Sequence, residues 1–232
     1  MSTSAPRTAR AIARRELTSA IVASARRQLA EIGPAQLSVR AVARDLGMAS
    51  SAVYRYFPSR DELLTELLVI IYGELADTLE TADAARDRSD LAGRWRSLGT
   101  SLRGWAVEAP HEYAFLYGSP VPGYAAPEAT VAPSARVTGV LLTLARDLTT
   151  DGPRTETFAA FRKLAGQDLS DKTILRAVTA WGGLLGAISL ELFGHLHRAV
   201  TDYDAHFALV LDQLDPTRGD TGSRTPCSTT EG

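Results

Sequence analysis

The stretch Leu37-Ser-Val-Arg-Ala-Val-Ala-Arg-Asp-Leu-Gly-Met-Ala-Ser-Ser-Ala-Val-Tyr-Arg-Tyr-Phe-Pro-Ser-Arg-Asp-Glu-Leu63 reads as two short helices joined at a glycine, with a longer helix starting behind them. Ser38 stands at an N-cap position, and Val39, Val42, Ala43 and Leu46 follow at helical spacing. Gly47 tolerates the positive φ of a tight turn. A short helix over roughly 50–56 comes next and Pro58 closes it. Ala43 is small where this unit crosses the helix before it. Val53 fills the space between helices, which leaves Ser50, Ser51, Ala52, Tyr54 and Arg55 facing outward. Helix, tight turn, short helix is the helix-turn-helix unit.

Outward from this unit the pattern stays helical. Before it, apolar and small residues recur at 17, 20, 21, 25, 29 and 32, and Gly33-Pro34 ends that helix. After it, Ser59 caps a long helix with Asp61 and Glu62 in its first turn, where acids suit the dipole. Its stripe of Leu63, Leu64, Leu67, Leu68, Ile71, Leu75 and Leu79 runs to about residue 82. Residues 1–60 hold ten arginines against Glu16, Glu31 and Asp45, a net +7, so the other 172 residues carry −9 of the total −2. A basic quarter on an acidic body fits a polyanion partner for that quarter alone; a solvated basic face fits the charge equally well.

The rest of the chain bounds the answer. Hydrophobic residues make 45% and charged residues 22% of 232, ordinary for a folded soluble protein. Cys227 has no cysteine partner, which excludes an internal disulfide and a cysteine-based zinc site and suits a reducing, cytoplasmic setting. No apolar h-region follows the N-terminal arginines, and the most apolar run, Trp181 to Leu196, is short and contains Glu191, so no membrane is expected. Helical patterns recur at about 91–109, 111–118, 131–149, 155–167, 171–199 and 202–214. Ser119 to Pro127, with three prolines, is a loop. The spacing predicts an all-α protein: a flexible basic arm over 1–11, a three-helix head over 12–58, a larger helical domain over 59–214 that begins with the linking helix 59–82, and a disordered tail over 215–232.

The run Val39-Arg-x-Val-Ala-x-x-Leu-Gly-Met48, followed by Val53-Tyr-Arg-Tyr-Phe-Pro-Ser-Arg-Asp-Glu-Leu-Leu64, resembles the DNA-binding domain of TetR-like regulators over about residues 12–70. The resemblance implies a third helix in the major groove, with Ser50, Ser51, Ala52 and Tyr54 nearest the DNA and Arg55 beside them. It implies that Arg40 reaches a base edge, where an arginine can bond guanine in bidentate fashion. Tyr54, Tyr56 and Arg60 match backbone-contacting positions. Tyr56 as half core, Arg40 as a mere solvated charge, and Ser50 and Ser51 as mere caps, remain open alternatives. The usual Ser or Thr cap of the third helix is replaced by Ala49, and Ser50 is a substitute that would shift the helix start by one residue.

The resemblance also implies a helical C-terminal domain that dimerises and binds a small effector. Ala109 to Tyr124 and Trp181-Gly-Gly-Leu-Leu-Gly186 resemble the subgroup called WHG, with Leu185 where its histidine is expected. Trp95, Trp105, Tyr113, Phe115, Tyr117 and Trp181 are the expected walls of a pocket for a small apolar or aromatic effector. Gly182, Gly186, Leu192, Phe207 and Val210 are the expected dimer contacts on the last two long helices. No cofactor or metal is expected. His195 and His197 are two apart and diverge on a helix, and Glu191 with His195 reads as a surface pair. No nucleotide loop, nucleophile elbow or paired-carboxylate motif supports an enzyme. A constitutive DNA binder without effector is the remaining alternative to a ligand-responsive repressor on a palindromic operator.

Overall fold

The computed structural model describes residues 5–148 and 151–218, apart from the side chains of residues 5–8 and of Leu164. Ten α-helices follow one another: α1 (Ala5–Ile32), α2 (Val39–Asp45), α3 (Ser50–Val53), α4 (Arg60–Ala84), α5 (Leu91–Glu108), α6 (Pro110–Tyr117), α7 (Val131–Asp147), α8 (Ala159–Ala165), α9 (Asp171–Leu192) and α10 (Tyr203–Leu214). No strand occurs among the described residues, and the all-α fold is as expected.

Two cores organise these helices. Ile21, Ala25 and Leu29 of α1 meet Leu37, Val42, Ala43, Val53 and Phe57 in a head core closed by Leu63, Leu64, Leu67, Leu68 and Ile71 of α4. One turn further on, Leu75, Ala76 and Leu79 belong to a second core with Trp95, Leu98, Leu102, Leu141, Leu144, Leu184 and Ile188. The single stripe read in α4 therefore serves two cores in series. Ser59 caps α4 by accepting from the Glu62 N–H at 3.1 Å. The far end of α4 is pinned by Arg94, which is 1% exposed and binds Asp83 of α4 and Asp147 of α7, each at 2.8 Å.

Several boundaries differ from the reading of the sequence, α3 ending at Val53 rather than near 56 and α8 spanning only Ala159–Ala165 of the expected 155–167. Residues 5–11, expected as part of a flexible arm, continue α1, because the alanine- and arginine-rich run is rich in good helix formers and extends a helix already anchored by Ile21. Helix α9 stops at Leu192 rather than near 199: Gly194 takes φ 77° and bonds Glu191 O at 3.2 Å, a glycine C-cap. The tail expected from 215 begins packed, with Asp215 and Pro216 buried and Arg218 3.6 Å from Asp215. Residues 1–4 of the expected arm, residues 219–232 of the expected tail and Cys227 lie outside the described residues.

Candidate nucleic-acid interface and effector cleft

The head presents α3 as a short outward ridge. Gly47 adopts φ 64°, and its neighbour Met48 donates to Ala43 O at 2.8 Å, closing the tight turn. Val53 is fully buried beneath α3. Ser51, Tyr54 and Arg55 are exposed, while Ser50, Ala52 and Tyr56 are half-buried. Ala49 is the N-cap and no side chain caps the helix, so Ser50 does not take over that role and the start is not shifted. Arg40, on α2, is exposed. The position of α2 against α1 is set by Asp45, which accepts from Ser24 Oγ and Arg27 Nη2, both at 2.5 Å. Hydrogen bonding from Ser24 and then Arg27 holds the Asp45 carboxyl below the usual carboxylate range.

Arg60 is placed differently from a free phosphate contact. Its Nε donates to Leu37 O at 3.2 Å, and its Nη2 to Pro34 O at 2.8 Å and Ala35 O at 3.1 Å. The guanidinium thus clamps the turn between α1 and α2 onto the start of α4, with Nη1 3.7 Å from Asp61. Tyr56 also has an internal neighbour, since Arg14 of α1 lies 5.4 Å above its ring centroid.

The six aromatics expected to wall one pocket do not share one. Trp95 is fully buried and donates from Nε1 to Leu211 O at 2.9 Å. With Trp181 it borders a void of only about 10 Å³, less than a ligand needs. Trp105, Tyr113 and Tyr117 pack on one another, the Tyr113 ring centroid standing 6.5 Å from Trp105 and 5.4 Å from Tyr117. Burial raises the pKa of the Tyr117 hydroxyl, so it stays neutral. Phe115, of the six, lines a cleft of ligand size. That cleft, about 310 Å³, lies between α4, α6, the loop 118–127 and the start of α7, and is lined also by Leu68, Tyr72, Leu116, Val121 and Tyr124. Tyr124 is held there by a 2.9 Å bond to Thr65. Tyr72 was missed because in the sequence it is one more residue along the core stripe of α4.

Helix α6 touches every part of this arrangement. Phe115 belongs to the head core, and Tyr113, two residues earlier, belongs to the body core. The Tyr113 hydroxyl donates to Leu185 O of α9 at 2.7 Å. Glu112 pairs with Arg26 of α1, whose Nε is 3.0 Å away but off hydrogen-bond alignment, and Arg26 also binds Glu74 of α4. Burial raises the pKa of the Glu112 carboxyl, Arg26 opposes that rise, and Glu74 adds to it.

On α9 the expected dimer contacts sort by face. A Cβ on Gly182 or Gly186 would meet nothing within 4 Å, and both are exposed. Gly183 instead faces α10, where a Cβ would come within 2.6 Å of Leu214. Leu192 and Val210 are half-buried. Phe207 is 4% exposed and lies in the body core, with Arg103 over its ring at 5.2 Å, so it is not a surface contact. Leu175, Val178, Leu190 and Phe193 on or beside α9, and Leu209 on α10 at 69% exposure, are the apolar residues that do face outward. Helix α9 is long and apolar enough to cross a membrane by composition, but its inner face packs against α5, α7 and α10. Glu191 is held by Arg103 at 2.8 Å, not by His195. No cluster of three metal-ligating side chains occurs among the described residues.

An α1–α3 head reading DNA and a helical body joined to it through α4 and α6 define a helix-turn-helix transcriptional regulator. Residues 21–67 match the model of bacterial regulatory proteins of the tetR family, and residues 95–214 match the tetracyclin repressor-like C-terminal domain. The chain is 43% identical over 198 residues to the HTH-type transcriptional regulators Mb1846 of Mycobacterium bovis and Rv1816 of Mycobacterium tuberculosis, covering 78% of this chain and 83% of each of them. The crystal structure of regulatory protein SCO4313 is 35% identical, with a TM-score of 0.76 over 87% of this chain and 96% of that one. The regulator PfmR from Thermus thermophilus, at 17% identity and a TM-score of 0.54 over 83% of this chain and 97% of that one, shares the fold. The chain belongs to the TetR family of DNA-binding transcriptional regulators. It is a regulator and not an enzyme.

Proposed function

We propose that this regulator is a ligand-responsive repressor that holds a palindromic operator as a cytoplasmic homodimer and releases it when a small apolar or aromatic molecule binds. Within the head, Ser50, Ser51, Ala52, Tyr54 and Arg55 face the major groove, Arg40 bonds a guanine edge, and Tyr54 and Tyr56 hold phosphates. Arg60 reaches a phosphate only with Nη1, since its other donors hold the backbone. The outward seam of Gly182, Gly186, Leu175, Val178, Leu190 and Leu209 supports pairing with a second copy, and Val210 and Leu192 flank it.

The observation that carries ligand response is the position of α6, with Phe115 and Glu112 on the head, Tyr113 on α9, and the cleft along its side. A molecule wedged beside Phe115 and Tyr124 shifts α6 against α4 and so re-aims the head. A coupling of roughly 1–3 kcal/mol suffices to change operator occupancy. The closed interior around Trp95 and Trp181 favours the second reading, a binder with no effector. Selection of bound duplex from a random pool supplies the operator, and a panel of apolar and aromatic compounds is then tested for release. A palindrome released by panel members supports the proposal. A single half-site, or a palindrome whose affinity no compound changes, sinks the dimer or the effector respectively.

A further inference from the structure

The arginines of the head sort into two sets. Arg26, Arg27 and Arg60 are bound internally, to Glu74 and Glu112, to Asp45, and to the backbone at Pro34, Ala35 and Leu37. Among the described residues, Arg10, Arg14, Arg15, Arg40, Arg44 and Arg55 are exposed and make no ion pair. Arg40, Arg44 and Arg55 sit on the helix-turn-helix unit itself. The other three do not. They lie on the N-terminal extension of α1, where residues 9–16 are exposed throughout and the head core is met from Leu17, half-buried, and then fully at Ile21 and Val22.

Residues 9–16 add no buried side chain to the head core, and Arg14 touches the head at the Tyr56 ring. At 1.5 Å per residue the segment before Leu17 carries α1 roughly 18 Å past its last packed turn. Arg10 and Arg14 are four apart on one face, a spacing at which like charges repel, with Arg15 next to them. Glu16 is the single acid of the segment and is exposed. The direction of the stripe is given by Arg14, which lies over the ring of Tyr56 immediately after α3. A row of exposed cations without ion pairs therefore starts beside Tyr56 and continues along α1 towards its N-terminal end.

We infer that Arg10, Arg14 and Arg15 bind the DNA duplex flanking each half-site, outside the major groove occupied by α3. The partner is the phosphate lattice there, whose charge relieves the repulsion along the helix and whose counterions are released on contact. The inference rests on the proposal that the head binds an operator. It adds that the bound site is longer than the segment α3 covers, and that each protomer extends it outward.

The test uses the full chain and the selected operator in two duplexes, one ending at the outer edge of each half-site and one continuing for ten base pairs or so beyond. The triple variant Arg10→Ala, Arg14→Ala, Arg15→Ala replaces exposed residues with the best helix former, so α1 stays folded, as circular dichroism can verify. Wild type is expected to bind the long duplex about tenfold or more tightly than the short one. Its salt slope on the long duplex should be steeper by about 0.9 per added phosphate contact. In the triple variant the long-to-short ratio collapses towards one. A preference of wild type for A·T over G·C flanks adds entry into a narrow minor groove, and equal affinity leaves contact to phosphates alone; either supports the inference. A wild-type ratio near one, or a ratio that survives the triple substitution, overturns it. Binding of neither duplex would instead mark failure of the operator reading on which it stands.

Discussion

Arg40 and Arg60 look alike in the sequence, two arginines flanking the turn unit, yet the structure gives them different work. Arg40 is exposed with no ion pair among the described residues, free to meet a base. Arg40→Ala should weaken the specific operator by about 1–3 kcal/mol and relax specificity at one base pair, with little loss on random DNA. Competition binding with single-base operator variants measures this. Arg60 satisfies three backbone carbonyls at the end of the 3₁₀ turn Pro34–Gln36. Arg60→Ala should cost the head about 1–3 kcal/mol of stability, discounted because the side chain is 29% exposed. Hydrogen exchange at α2 and at the first turn of α4 reads it directly; unchanged protection would return Arg60 to a purely DNA-facing role. Glu112 adds a pH term. Its raised native pKa means the folded state holds its proton more tightly than the unfolded chain. Stability is therefore fully present below the unfolded carboxyl pKa and declines as pH rises through the folded one. Glu112→Gln should flatten that decline in chemical denaturation between acid and neutral pH.

At the scale of elements, α4 and α6 divide the linkage between head and body. The stripe of α4 was plain in the sequence, but its division between two cores was not. Nothing in the spacing of Leu63 to Leu79 marks the point, between Ile71 and Leu75, where its neighbours change from α1 to α5 and α7. Helix α6 is only eight residues, too short for periodicity to show that Phe115 and Tyr113 point into different cores. The cleft beside it depends on the 118–127 loop folding back across α4, a placement set by the Thr65–Tyr124 bond and by Val121 packing at the head core. Ser134→Trp places an indole at the mouth of this cleft from α7. The expected result is a protein that holds its operator but no longer responds to compounds that release the wild type. Retained response would move the effector elsewhere in the body.

For the whole molecule the informative surface is the outer face of α9 and α10. Both faces of α9 are apolar, so hydrophobicity alone does not say which face the chain uses for itself. The fold settles it: Ile174, Ala177, Leu184 and Ile188 turn inward, and Leu175, Val178, Gly182, Gly186 and Leu190 remain outside. Phe207 was placed on the dimer seam by its apolar character and in fact fills the body core, while its neighbour Leu209 faces out. Gly186→Glu should leave the protomer folded, because the position is open, and yield a monomer by sedimentation. Such a monomer should lose most palindrome affinity, since one short recognition helix cannot supply operator-level specificity alone. A dimer that survives the substitution would place the interface elsewhere.

Much of the helix-turn-helix head was legible because several of its constraints are local: a glycine at φ 64°, a valine under a short helix and the Ser59 cap act within a few residues of where they stand, whereas Ser38 begins α2 without a side-chain cap bond and Arg60 turns inward onto the preceding turn. The all-α class and most helix boundaries followed from the same short-range periodicity. Which arginines are spent inside the head, which aromatics meet a cavity and which side of α9 faces out were decided only by tertiary packing. Each of those depends on a partner far along the chain, as Arg26 depends on Glu112 and Trp95 on Leu211, and a composition of aromatics and glycines cannot specify such pairings. A tryptophan lines a pocket or fills a core with the same chemistry; the space left around it makes the difference.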